Sequence, residues 1–203
     1  MKIVGVGVLD ATTNFVNAFA YGYSDMTSVI LLVSLSSPFS MVFGRLILKR
    51  RYLLKSVITA IAVLVMAFSY TLLDKDTTFN GNSKIVGDLL AILSAVGYAF
   101  TSTLNEKYGS TEGYVAYVGI LSTGGAATCL ILTLALELKH YAEVPAQAWL
   151  LMLPYGCLMV CFYLLAIYVT RNMSAVHFNL SSLCTNFYTF AVSFIMGTAM
   201  QWL

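Results

Sequence analysis

Charge is what this chain most lacks. Lysine, arginine, aspartate and glutamate together make up 10% of its 203 residues, while 59% are hydrophobic. A soluble globular chain carries roughly 25% charged residues. So small a supply cannot coat a water-facing surface, which excludes a soluble domain and implies an integral membrane protein. Cysteine is scarce as well. The four present (Cys129, Cys157, Cys161 and Cys184) lie inside apolar segments, with no CxxC and no Cys/His ligand spacing. They are expected to be small packing groups rather than disulfide or metal residues. Signatures for phosphate loops, dinucleotide folds, Ser/His/Asp catalysis and nucleic-acid binding are also missing. No catalytic residue, metal, cofactor or nucleic-acid partner is therefore expected, and the chain is not expected to be an enzyme. Met1-Lys2 leads into a segment with an embedded Asp10 and no cleavage pattern, so that segment is expected to stay.

What is present is hydrophobic length. A bilayer core near 30 Å needs roughly 20 helical residues, and only helices let an open chain satisfy its backbone in lipid. Seven segments fit: about 3–23, 27–48, 53–73, 85–106, 114–137, 148–169 and 174–196. The fold class is all-α, a polytopic transmembrane helix bundle whose first partner is the lipid bilayer. Lys/Arg placement sets its direction. The loop L-K-R-R-Y-L-L-K must be cytoplasmic, and alternation then places Lys2, Lys107 and Arg171 on the same side. Asp25, Asp74, Asp76, Glu137 and Glu143 gather on the other side. The N-terminus is expected in the cytoplasm. A seven-helix receptor needs it outside and would carry D-R-Y-like or N-P-x-x-Y-like motifs, which are missing.

Polar groups at membrane depth carry the functional signal. In the seventh segment Ser174, His177, Ser181, Thr185 and Tyr188 form one stripe at 100° per residue, and Asn179, Ser182, Asn186 and Thr189 a second beside it. One interhelical contact of this kind is worth only about 0.6 kcal/mol, so the accumulation points to a wet cavity. Asp10, Asn14, Asn17 and Tyr21 make a polar face on the first segment. A charge at the bilayer centre costs roughly 2.5–3.5 kcal/mol; Asp10 either binds a coupling ion, proton or cationic group, pairs structurally with Asn14 or another helix, or snorkels. His177 is open between a proton relay and a structural hydrogen bond. Tyr98, Thr101, Ser102 and Asn105 can reach the same cavity from the fourth segment. Asp88 reads as a helix-start residue, and Gly87, Ala91, Ala95, Ala99 and Thr103 as a small-residue packing ridge matched by Gly119, Thr123 and Ala127.

Met26–Ser34 and Met173–Ser181 share a Met-[Thr/Ser]-small-Val start and a terminal serine, with Tyr21 and Tyr168 aligned at the same offset of 147. The copies would run in opposite directions, as in inverted-repeat transporters, whose substrate sites lie between the repeats near the midplane. Ser34 and Pro38 belong to the first copy. Pro38 removes the hydrogen bond to the Ser34 carbonyl and is expected to kink the helix, either along the solute path or as a packing feature.

The stretches A-Y-G-Y-S-D-M-T-S-V-I-L-L, L-I-L-K-R-R-Y-L-L-K, V-G-D-L-L-A-I-L-S-A-V-G-Y-A-F-T-S-T-L-N-E-K-Y and R-N-M-S-A-V-H-F-N-L-S resemble the drug/metabolite transporter superfamily, more narrowly the F subgroup of solute carrier family 35. The resemblance covers nearly the whole chain. It implies ten helices in two inverted five-helix repeats and alternating access. The seven segments correspond to the third through ninth helices: 1–73 the remainder of the first repeat with three helices, 85–203 the second with four and its last one missing. On that reading the chain is a fragment, a truncated isoform or an incomplete gene model.

Nucleotide-sugar carriers need Lys or Arg to hold a diphosphate, and no Lys or Arg lies near the midplane here. The expected partner is a small-molecule solute that is neutral or weakly charged, nucleoside- or nucleobase-like, taken by Asn14, Asn17, Tyr21, Ser34, Tyr98, Asn179, Ser181, Ser182, Thr185, Asn186 and Tyr188. The alternatives are a nucleotide-sugar transporter and a non-transporting scaffold. A homodimer is compatible with the sequence, and Golgi, endosomal, vacuolar and plasma membranes fit equally. The sequons at Asn172 and Asn179 are expected to stay bare, on the cytoplasmic side and within the membrane. Treating protein from a glycosylating host with an endoglycosidase should leave its mobility unchanged; a shift would refute this topology.

Overall fold

The computed structural model describes residues 1–52, 54–73, 81–109, 113–137 and 146–182. They form α1 (Lys2–Tyr23), α2 (Met26–Val33), α3 (Ser36–Ile47), α4 (Leu54–Leu73), α5 (Gly81–Tyr108), α6 (Tyr114–Leu132) and α7 (Ala146–Asn172). A single π-turn, Thr133–Glu137, extends α6, and residues 175–182 begin a further helix. Five stretches are long and apolar enough to cross a membrane: Lys2–Tyr23, Ser28–Ile47, Lys84–Tyr108, Tyr114–Leu136 and Ala148–Asn172. They match five of the seven expected spans. The third is represented by α4, with Ser56–Val65 as its shorter apolar stretch. Most of the seventh lies outside the described residues. Among the described residues no strand occurs, so the chain is an all-α transmembrane bundle.

The second span is two helices. α2 ends at Val33, and α3 begins after a turn at Ser34–Leu35. Pro38 sits in the first turn of α3, where a missing N–H costs least. The Ser37 N–H bonds the Ser34 carbonyl at 3.2 Å, so the carbonyl that Pro38 leaves is taken one residue earlier. The Ser34 hydroxyl folds back onto the carbonyls of Leu31, at 2.6 Å, and Ile30, at 3.2 Å. Short serine hydroxyls thus satisfy backbone groups that lipid would leave bare.

α5 is the element against which the others pack. Gly87, Ala91, Ala95, Ala99 and Thr103 are all buried, as a packing ridge requires. α1 lies along it: Gly87 abuts Ser24, Ser94 bonds Asn17, and Gly97 abuts Thr13. Asp88, expected only to start a helix, accepts the Ser24 hydroxyl at 2.6 Å and ties α5 to the turn after α1. α6 meets α1 through other residues than expected. A Cβ at Gly7 would strike the Leu121 carbonyl, and one at Gly124 the Val4 carbonyl. Gly119 has nothing within 4 Å, and Thr123 and Ala127 are exposed. The ridge on α6 is therefore Leu121, Gly124 and Gly125. S-T-G-G-A-A-T is small on every side, so its spacing did not select a face.

One further expectation changes. Cys129, Cys157 and Cys161 are exposed rather than packed inside, Cys129 on the wall of a cavity among α1, α6 and α7, and Cys184 lies outside the described residues. α7 buries only 11% of its span and exposes Leu150, Leu153, Leu158 and Leu165. Its inward contacts are few, among them Ile167, which joins Val6, Tyr117, Val118 and Leu121 in a core cluster. Replacing Gly7 by valine should destabilise the purified protein by about 1–3 kcal/mol, as overpacking does, whereas Gly119→Val should be neutral. Thermal melting in detergent compares the two, and equal effects would contradict the α1–α6 contact.

Candidate functional site

Polar side chains, from the exposed Asn14 and half-buried Asp10 to the buried Asn179, meet where α1, α3, α5, α7 and residues 175–182 converge. Asp10 is the charge at depth. Its Oδ2 accepts the Tyr163 hydroxyl at 2.6 Å and Asn14 Nδ2 at 3.3 Å. Asn14, one turn along α1, also accepts the Tyr98 hydroxyl at 2.8 Å. Three helices thus share one network, and the carboxylate that lipid would reject has partners from its own helix and from α7.

A second cluster lies toward the end that carries Arg50 and Arg171. Asn179 Nδ2 donates to the Ser40 hydroxyl and, at 3.1 Å, to Ser102. This joins residues 175–182 to α3 and α5. Asn105 accepts the Tyr117 hydroxyl at 2.8 Å and holds α6 to α5.

Two cavities flank the Asp10 network. The inner one, about 200 Å³, is lined by Ser36, Tyr98, Thr101, Ser102, Asn105, Thr170, Asn179 and Ser182, with Phe162 and Phe178 supplying ring faces. The other, about 410 Å³, lies among α1, α6 and α7 and is lined by Gly7, Leu121, Ser122, Ala126, Tyr155 and Met159. Asp10, Asn14 and Tyr163 line both, so this trio is their common wall. Small-molecule pockets run from about 300 to 1,000 Å³; parting of the trio would open a space in that range. Among the described lining residues there is no Lys, Arg or His. A carboxylate, amides, hydroxyls and aromatic faces suit hydrogen bonding and stacking with a small polar organic molecule, not pairing with a phosphate.

The expected site residues divide. Asp10, Asn14, Tyr98, Asn179 and Ser182 line the inner cavity. Asn17 accepts the Ser94 hydroxyl at 3.3 Å and does not line it. Tyr21 is exposed beyond the network, and Ser34 is spent on backbone carbonyls. Of the two stripes after Ser174, the one with Asn179 and Ser182 faces the cavity. His177 is exposed, its ring 2.7 Å from the Ser174 hydroxyl, and Ser181 bonds the Phe178 carbonyl. The rotation is fixed by burial of Ala175 and Val176 and by the Asn179 bonds. Thr185, Asn186 and Tyr188 lie outside the described residues. Tyr163 and Ser40, absent from the expected set, are central. Tyr163 sits in a helix apolar all round, where one hydroxyl gives no periodic signal.

A sequence model of solute carrier family 35 matches residues 1–203. The chain belongs to solute carrier family 35. It is 28% identical to mouse solute carrier family 35 member F2 across 93% of this chain and 52% of that protein, and 27% identical to the Xenopus tropicalis member F2 across 93% and 51%. An uncharacterised solute carrier family 35 member of Schizosaccharomyces pombe is 26% identical over all of this chain and 41% of its own length. The chain spans about half the length of these curated relatives. It is a multi-pass integral membrane protein of a solute carrier family.

Asn179→Ala and Ser102→Ala should be non-additive. A double-mutant cycle on melting free energies should give a coupling near 0.6 kcal/mol and below about 1.7, the scale of hydrogen bonds between membrane helices. Strict additivity would show that the contact carries no energy.

Proposed function

We propose that the chain forms part of a secondary transporter that moves a small polar organic solute, nucleoside- or nucleobase-like, across a membrane by alternating access. The observation that carries this is the Asp10–Asn14–Tyr163 trio standing between two cavities. A solute entering the inner cavity would exchange hydrogen bonds with Asn14, Tyr98, Asn179 and Ser182 and stack on Phe162 or Phe178. Asp10 would accept a donor nitrogen in place of Tyr163, parting the wall. A carboxylate in a chamber whose described lining residues include no Lys or Arg disfavours a diphosphate, which argues against a nucleotide-sugar cargo. His177, exposed and bonded to Ser174, supports a capping role better than proton relay, which leaves Asp10 as the coupling candidate.

The inverted duplication is part of the same reading. At the offset of 147, Ser28 pairs with Ala175, Val29 with Val176 and Leu32 with Asn179, and all six are buried. Residues 1–73 and 85–203 would be the remainders of two repeats, with the N-terminus in the cytoplasm.

The test is uptake by the full-length protein in proteoliposomes, comparing radiolabelled nucleosides and nucleobases with uridine diphosphate sugars. Uptake of the first group is expected. Asp10→Asn and Tyr163→Phe should each lower kcat/KM about tenfold or more, the scale of losing one hydrogen bond to a charged group. Nucleotide-sugar exchange alone would overturn the cargo assignment, and unchanged kinetics in both variants would remove Asp10 from the path.

A further inference from the structure

Outside this network lies a charged cluster at one end of the bundle. Glu106, on the last turns of α5, has a side chain only 5% exposed, and Arg50, in the loop after α3, is 47% exposed; Arg50 Nη1 lies 2.8 Å from Glu106 Oε1. The other carboxylate oxygen, Oε2, accepts the Ala175 N–H at 2.6 Å. This N–H opens the helix at 175–182, where a negative charge meets the positive end of the helix dipole. The same Arg50 Nη1 donates to the Met173 carbonyl at 3.4 Å. One ion pair therefore joins the α3–α4 loop, the end of α5 and the turn after α7.

Local geometry shows how Arg50 is aimed. Lys49 has φ 55, the left-handed region that favours glycine. The Arg50 N–H then reaches back to the Gly44 carbonyl at 3.4 Å. A lysine held there is strain that the surroundings must maintain, a pattern that clusters at switches and clamps. Tyr52 closes over the same turn, its hydroxyl filling the space where Gly44 lacks a side chain. Burial pushes the Tyr52 phenol above its ordinary range, the nearby Glu106 charge adds to this and Arg50 offsets it.

The cluster adjoins the inner cavity through neighbouring residues. Ser102 and Asn105 line the cavity from α5, and Glu106 is the next residue; Thr170 lines it from α7, four residues before Ser174. We propose that Arg50 and Glu106 form a latch that closes the inner cavity on the Lys/Arg-rich face, and that their separation opens it to that face. The link crosses from the first duplicated half to the second, so it holds only while the halves are drawn together at this end. The polar part of the closure is one half-exposed arginine and a short list of hydrogen bonds, beside the buried Ala175 and Val176.

The inference rests on the alternating-access reading, but its test needs no solute, so failure of the cargo assignment leaves it intact. In full-length protein with the native cysteines replaced by alanine, Ala166→Cys places a thiol on the cavity wall. A membrane-impermeant trimethylammonium methanethiosulfonate is applied from each face in turn to sided vesicles. Arg50→Ala and Glu106→Gln should raise the modification rate from the Lys/Arg-rich face roughly threefold to fivefold, the scale of a half-exposed ion pair, and leave or lower it from the other face. Arg50 is a loop residue, so Arg50→Ala keeps the test decisive where Glu106→Gln fails to fold. Unchanged rates, or equal rises from both faces, would overturn the latch.

Discussion

The hydrogen bond from Tyr163 to Asp10 is the interaction on which the arrangement of the bundle turns. α7 buries little of its surface against the other described residues. Hydrophobic burial draws helices together weakly where the surrounding medium is equally apolar, so polar contacts and close backbone approach decide placement. The 2.6 Å bond to a carboxylate at depth ties α7 to α1, while α7 packs on α5 and α6 and adds Ile167 to the core cluster. Asp10 in turn gains a partner from another helix, without which it would be a charge left in hydrocarbon. On the proposed mechanism stability and function draw on the same atoms, and a solute competing for Asp10 would loosen the bundle where movement is needed.

α5 gives that movement a frame. Its small residues let α1 approach closely along most of its length. Its two acidic side chains each hold a turn: Asp88 the turn after α1, through Ser24, and Glu106 the turn after α7, through Ala175. Each turn leads into one copy of the proposed duplication, at Met26 and at Met173. The break at Ser34–Leu35 falls beside the inner cavity, with Val33 and Ser36 on its wall. Irregular backbone in a membrane protein is tolerated in such a place.

Much of this was legible in the sequence, and the omissions have physical reasons. Helix limits followed from hydropathy and turn chemistry because lipid forces one secondary structure. Asp10, Asn14 and Tyr98 announced themselves as polar groups on otherwise apolar faces. The ridge on α5 showed because its small residues recur every four positions; that on α6 did not, because small residues occupy all of its sides. Two adjacent polar stripes after Ser174 could not reveal which one faced inward, since rotation depends on Ser40 and Ser102 in distant segments. Glu106 carries no signal of its own in the sequence, and only three-dimensional proximity pairs it with Arg50, 56 positions away by number.

The central claim is that a solute displaces Tyr163 from Asp10. Infrared difference spectroscopy on the full-length protein, recorded on adding a transported nucleoside or nucleobase, reads this directly. The account expects changes in a carboxylate band and a tyrosine band, the first abolished by Asp10→Asn and the second by Tyr163→Phe. A solute-induced spectrum in which neither band moves, while transport is intact, would contradict it.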